Sequence, residues 1–168
     1  TEPCTVDILI AYDTLAAKWA NENGGGLKTF AETCVQKMNA ALSNTGLSSL
    51  NRFRLVDVYE IGGSAGGNLN YAINFASGEI LGTLNGVSWN GVSVRRDRVG
   101  ADIVCVLIDT GSSTGTTGLG YALEKNIYDV AGCGYNATAI RAVANAHTMT
   151  HEVGHNMGAG HSDMMANV

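Results

Sequence analysis

The sequence predicts an α/β (α+β) fold, a twisted mixed sheet with helices packed on it, ending in a helix that bears a dense cluster of histidines. Three observations point there. Apolar, β-rich runs stand at Cys4–Tyr12, Arg52–Ile61 and Asp102–Ile108. Between them, apolar residues recur at helical spacing. Near the end, His151 and His155 stand four residues apart, the interval that puts two side chains on one helical face. The order is strand, helix, strand, helix, strand, edge strand, helix, with no repeat and no linker. One lobe is expected to carry one site.

Taken in order, CTVDILIAY (Cys4 to Tyr12) reads as a buried strand. Asp13 and Thr14 can cap a short helix running to about Asn23, and Gly24-Gly25-Gly26 breaks it. Leu27, Phe30, Ala31, Cys34, Val35, Met38 and Leu42 then mark a long amphipathic helix that ends near Gly46. Arg52 to Ile61 is the second strand, and Gly62 to Gly67 a loop. Leu69, Ala72, Ile73, Ala76 and Ile80 mark another amphipathic helix. The run Arg95-Arg96-Asp97-Arg98 reads as a solvated turn, with docking of a propeptide or substrate as the alternative. Asp102 to Ile108 is almost wholly apolar, as a central strand covered on both faces would be. Asp109 to Gly120 is a Gly/Ser/Thr-rich loop without the Gly-Lys-Ser/Thr of a phosphate-binding loop. Leu119 to Leu123 reads as a short edge strand. Ala139 to Ala144 is another short strand or the lead-in to the final helix, placed from about Asn145 to Met157.

Composition bounds the function. A chain of 168 residues, 45% hydrophobic and 15% charged, suits one globular domain with a real core. A net charge of −5 argues against a nucleic-acid surface, and no apolar run is long enough to span a bilayer. Twenty-two glycines against one proline imply many turns. Cys4, Cys34, Cys105 and Cys133 form no CxxC pair, so a cysteine metal site is not expected. Cys34 and Cys105 read as buried thiols, but one or two disulfides fit equally well if the protein is exported. No signal peptide is visible at Thr1-Glu2-Pro3-Cys4, so the chain reads as a mature or trimmed form. Asn136-Ala137-Thr138 has the form of a glycosylation acceptor, a triplet common by chance. Calcium remains open, since no EF-hand loop places it.

Residues 151–161 read HExxHxxGxxH. The spacing carries a mechanism. His151 and His155 can hold one zinc ion from one helical face. Glu152 stands where its carboxylate can reach a water on the metal without binding the metal itself. Gly158 can take a backbone conformation that ends the helix, so the chain can turn back and bring in His161. Three protein ligands leave a position open, as catalytic sites require. Three of the chain's four histidines fall on these positions. The fourth, His147, is expected in the core or hydrogen-bonded behind the ligands.

The extended motif is similar to that of the metzincin metallopeptidases. More narrowly, Val6–Tyr12, Arg98–Val104 and Thr150–His161 resemble the bacterial reprolysin-like enzymes, including the peptidyl-Asp metalloendopeptidase group. The resemblance implies one zinc ion held by His151, His155 and His161, with Glu152 as general base. It implies that Leu119, Gly120, Tyr121 and Ala122 belong to the edge strand along which a protein or peptide substrate lies. It also implies a secreted bacterial enzyme, expected as a monomer, with a propeptide or inhibitor as a further partner. The residues after the third histidine, Ser162 and Asp163, do not separate the branches that carry Ser or Asp there. Met164 and Met165 are the candidates for the Met-turn beneath the zinc, yet they follow His161 by only three and four residues. The expectation is therefore a single catalytic domain, mainly its N-terminal subdomain, with the C-terminal subdomain truncated or missing. A zinc endopeptidase is the first reading, and a zinc-binding module without peptidase activity is the alternative. Hydrolysis of a non-peptide amide is a third reading that no residue favours.

Overall fold

Strand β1 spans Cys4–Tyr12, and its last five residues are buried. The computed structural model describes residues 2–112, 115–123 and 131–161. Asp13 caps α1 (Thr14–Asn23), its side chain accepting from the Ala16 amide, and the glycine triplet separates α1 from α2 (Leu27–Asn44). β2 covers Asn51–Glu60, and α3 covers Leu69–Ser77. α3 stops at Gly78, in the left-handed region at φ 82°, so Ile80 lies outside the helix expected to hold it.

The next segment departs from expectation. Thr83–Leu84 (β3) and Val87–Ser88 (β4) form a small antiparallel hairpin. Its turn is Asn85-Gly86, with φ of 52° and 79°, the dipeptide that tight hairpins favour. The arginine run is not a solvated turn. It lies on α4 (Gly91–Val99). Arg95 pairs with Asp57, holding that carboxyl below the usual range. Arg96 donates to three backbone carbonyls, those of Ala101, Ala131 and Asp102, at 3.1, 2.7 and 3.0 Å, and its guanidinium lies 4.9 Å from the centre of the Tyr135 ring. Two of the three arginines thus replace the apolar stripe that α4 lacks.

β5 (Ile103–Ile108) is buried at all six positions, as a covered central strand should be. β6 spans Gly118–Gly120, and β7 spans Tyr135–Ala139. α5 (Ile140–Asn145) follows directly, then α6 (Thr148–Asn156). The stretch 139–144 is therefore mostly helix, and the strand lies before it. The sheet order is β2-β1-β5-β7-β6, all parallel except β6, which runs antiparallel to β7 at the edge.

Alternation along β5 builds the layers. Ile103, Cys105 and Leu107 join α1, α2 and the apolar side of α6 in one core. Val104, Val106 and Ile108 face α3 and α4 in the other. Cys34 and Cys105 are buried thiols, one of the two readings the sequence left open, and burial pushes both up to about 12. Asn136 is fully buried on β7, so its triplet cannot accept a glycan in the folded protein. Among the described residues no helix is long and apolar enough to cross a membrane.

The β1–α1 junction and the loop after β2 meet at Asp13, which is fully buried. Its carboxylate accepts from the amides of Ala16 and Ala65 at 2.8 and 3.1 Å and from the Ser64 hydroxyl at 3.3 Å. Removing it strands two buried donors, so Asp13→Ala should cost about 2–3 kcal/mol, read from the urea midpoint. Asp13→Asn keeps an acceptor and should cost less. Burial raises the Asp13 carboxyl above its ordinary range, against the pull of its donors. The folded state therefore binds this proton more readily than the unfolded state does. The Asn variant should gain stability relative to the parent as pH rises through that range.

Candidate active site

α6 divides its residues among three rows at i, i+4 spacing. Met149 and Val153 go into the core behind β5. Glu152 and Asn156 are buried polar groups, 6% and 7% exposed. His151 and His155 face the cleft, one exposed and the other half-buried. α6 starts later than its sequence suggests, because Ala146 is fully extended at φ −142°, ψ −174° and separates it from α5. His147 therefore stands at the N-cap position of α6, exposed at the cleft and not in the core.

The helix ends where the motif requires. Gly158 sits at φ 93°, its amide donating to the His155 carbonyl at 3.0 Å, and Ala159 donates to Gly154 at 2.9 Å. The chain reverses and carries His161 back. The Nε2 atom of His151 then lies 3.2 Å from that of His161 and 3.1 Å from that of His155. All three ring nitrogens fall within 4.8 Å of one another. The Ala159 carbonyl lies 2.8 Å from His155 Nδ1 and fixes the proton there, leaving Nε2 as an electron-pair donor.

This donor set fits zinc. Ligand nitrogens ~2.05 Å from one ion at tetrahedral angles stand about 3.3 Å apart, close to the spacing found. Converging imidazole lone pairs repel one another unless a proton or a cation lies between them. Nothing else among the described residues competes for the role, since these histidines form the one candidate cluster there.

Glu152 fills the gap between α6 and the edge strand. A Cβ added at Gly118 would lie 2.5 Å from Glu152 Oε1, and one at Gly120 would lie 2.9 Å from the Glu152 carbonyl oxygen. The glycines at alternate positions of β6 thus face the helix, while Leu119 packs toward the other core. Burial raises the Glu152 carboxyl above its ordinary range, and the three histidines pull it back. Glu152, the three histidines, His147, Thr148 and β6 line a cleft of ≈ 710 Å³.

The structure brings together His151, Glu152, His155, His161, Leu119 and Gly120, all expected from sequence. β6 ends at Gly120, before Tyr121, Ala122 and Leu123, because only one further ladder bond continues it, from the Tyr121 amide to Tyr135 at 3.2 Å. Ser162, Asp163, Met164 and Met165 lie outside the described residues. Asn156, buried within the motif, was not picked out by sequence reading. Its position four residues after Glu152 was the available signal.

The profile of metallo-peptidase family M12 matches residues 2–167. No curated protein sequence matches significantly. Among solved structures, a chain in a chaperone–substrate complex superposes with a TM-score of 0.67 at 19% identity, over 96% of this chain and 27% of that one. Metalloproteinase-II from Bacteroides fragilis superposes with a TM-score of 0.57 at 18% identity, over 97% of this chain and 45% of that one. Identities this low speak to the fold alone. The chain spans less than half the length of either protein.

Gly118→Ala places a methyl group against Glu152 and should destabilise the fold by about 1–3 kcal/mol. A crystal structure of the variant should show Glu152 in another rotamer or β6 moved outward. Gly154→Ala is the control. Its Cβ would meet nothing closer than Ala159 Cβ at 3.8 Å. It should stabilise α6, by up to about 1 kcal/mol, in thermal melts.

Proposed function

Because the chain belongs to metallo-peptidase family M12, we propose that it is a zinc-dependent endopeptidase of the metzincin type. The observation that carries this reading is the placement of Glu152. Its carboxylate is buried under a glycine edge strand, beside three imidazole nitrogens that converge on an open cleft. His151, His155 and His161 hold the ion. Zinc in such a site supplies Lewis acidity, lowering the pKa of a coordinated water and polarising a substrate carbonyl.

Glu152 supplies the base. It takes the proton of the attacking water and delivers a proton to the leaving amine nitrogen. Burial raises its carboxyl above the ordinary range, and the three histidines pull it back. Substrate specificity begins with geometry. The outer edge of β6 has no neighbouring strand among the described residues. An extended peptide can therefore join the sheet by main-chain hydrogen bonds, with its scissile bond above Glu152.

A second reading is a zinc-binding module without peptidase activity. Two experiments separate the readings. Casein cleavage should vanish with a chelator and return with added zinc, and no cleavage by fully zinc-loaded protein favours the inert module. Glu152→Gln should lower kcat by about 100- to 10,000-fold with one zinc still bound per chain. Full activity in that variant would remove Glu152 from the mechanism.

A further inference from the structure

We infer that Asn156 is a positioning residue that registers the edge strand on the helix bearing the histidines. The inference rests on the peptidase reading given above. The Asn156 amide nitrogen donates to the carbonyls of Tyr121, Cys133 and Tyr135, at 2.9, 2.8 and 2.8 Å. Two hydrogens serve three acceptors, so one is shared. The amide oxygen accepts from Asn136 Nδ2 on β7 at 2.8 Å. One side chain next to a proposed ligand thus joins α6 to β7, to the turn at Cys133 and to the residue that follows β6.

The orientation of this amide is forced. A flipped Asn156 would set its oxygen against three carbonyls and its nitrogen against another amide nitrogen. An aspartate would do the same with a charge. The position needs both donors and an acceptor, which a purely space-filling residue does not supply.

Tyr121 is the other end of the clamp. Its hydroxyl donates to Asn74 Oδ1 at 2.6 Å and lies 3.2 Å from Ser77 Oγ, both on α3. Two residues later, the Leu123 amide donates to the carbonyl of His155 at 3.2 Å. The segment leaving β6 is therefore stitched to α3 on one side and to α6 on the other. A peptide aligned on β6 inherits its distance from Glu152 and the histidines through these bonds. The ligands themselves need no such help, because two share one helix and Gly158 returns the third.

Strand and metal should therefore respond differently to the loss of Asn156. The full chain, loaded with zinc, is compared as parent, Asn156→Ala and Tyr121→Phe. The substrates are a long peptide that spans β6 and a blocked dipeptide too short to lie along it. Asn156→Ala should keep its zinc and lose about 100-fold in kcat/KM on the long peptide but less than about 3-fold on the dipeptide, and Tyr121→Phe should lose about 10-fold on the long peptide alone. Backbone amides of residues 118–123 should exchange hydrogen faster in both variants, ahead of those of α6. Equal losses on both substrates, or unchanged exchange at 118–123, overturn the inference and leave Asn156 a structural residue. A parent that cleaves neither substrate sinks the peptidase reading instead, and exchange alone then decides the role of Asn156. If Asn156→Ala does not fold, Tyr121→Phe decides it, and parent-like behaviour in that variant overturns the inference.

Discussion

The site depends on how closely one helix can approach one strand. α6 lies against β6 so tightly that the Glu152 carboxylate fills the space between them, and only residues without side chains fit opposite it. That contact sets Glu152, the histidines on the neighbouring row of the helix and the free edge of the sheet in fixed relation. The remaining architecture supports the contact. β5 and β7 supply the wall on which α6 packs, and Arg141 on α5 grips Asp109 at the end of β5 with two bonds of 2.8 and 2.9 Å. The chain thus enters α6 from an anchored point.

Burying a carboxylate costs free energy unless donors or charges compensate. The fold does this twice, by different means. Asp13 is compensated by backbone amides and a hydroxyl, which fix the junction of β1, α1 and the loop after β2. Glu152 is compensated by the nearby imidazoles. Burial outweighs the compensation at both sites, so both carboxyls stay above their ordinary range. The first arrangement secures structure, and the second keeps a carboxylate beside the three histidines.

Much of this was legible in the sequence, for physical reasons. Ile8–Tyr12 and Ile103–Ile108 are continuous apolar runs because both faces of those strands are covered. The histidines were legible because their spacing is the one that a metal site on a helix and the turn after it would need. The strand Tyr135–Ala139 was hidden because two of its five buried positions hold Asn136 and Thr138, which break the apolar pattern. Helix α4 was hidden because arginines anchor it through carbonyls and an aromatic ring, and no hydrophobic period marks such contacts. The Asn85-Gly86 hairpin was readable from its dipeptide, but its strands are only two residues long. Asn156 was hidden because its partners are backbone carbonyls scattered along the chain.

In the proposed site a peptide lies on β6 with its scissile bond between Glu152 and the three histidines. The most direct measurement is a crystal structure of the zinc-loaded Glu152→Gln chain soaked with a peptide, with anomalous data collected at the zinc edge. A single anomalous peak bound by the Nε2 atoms of His151, His155 and His161 is expected, with the peptide hydrogen-bonded along the outer edge of β6. Zinc held by any other set of side chains, or a peptide bound away from β6, would contradict it.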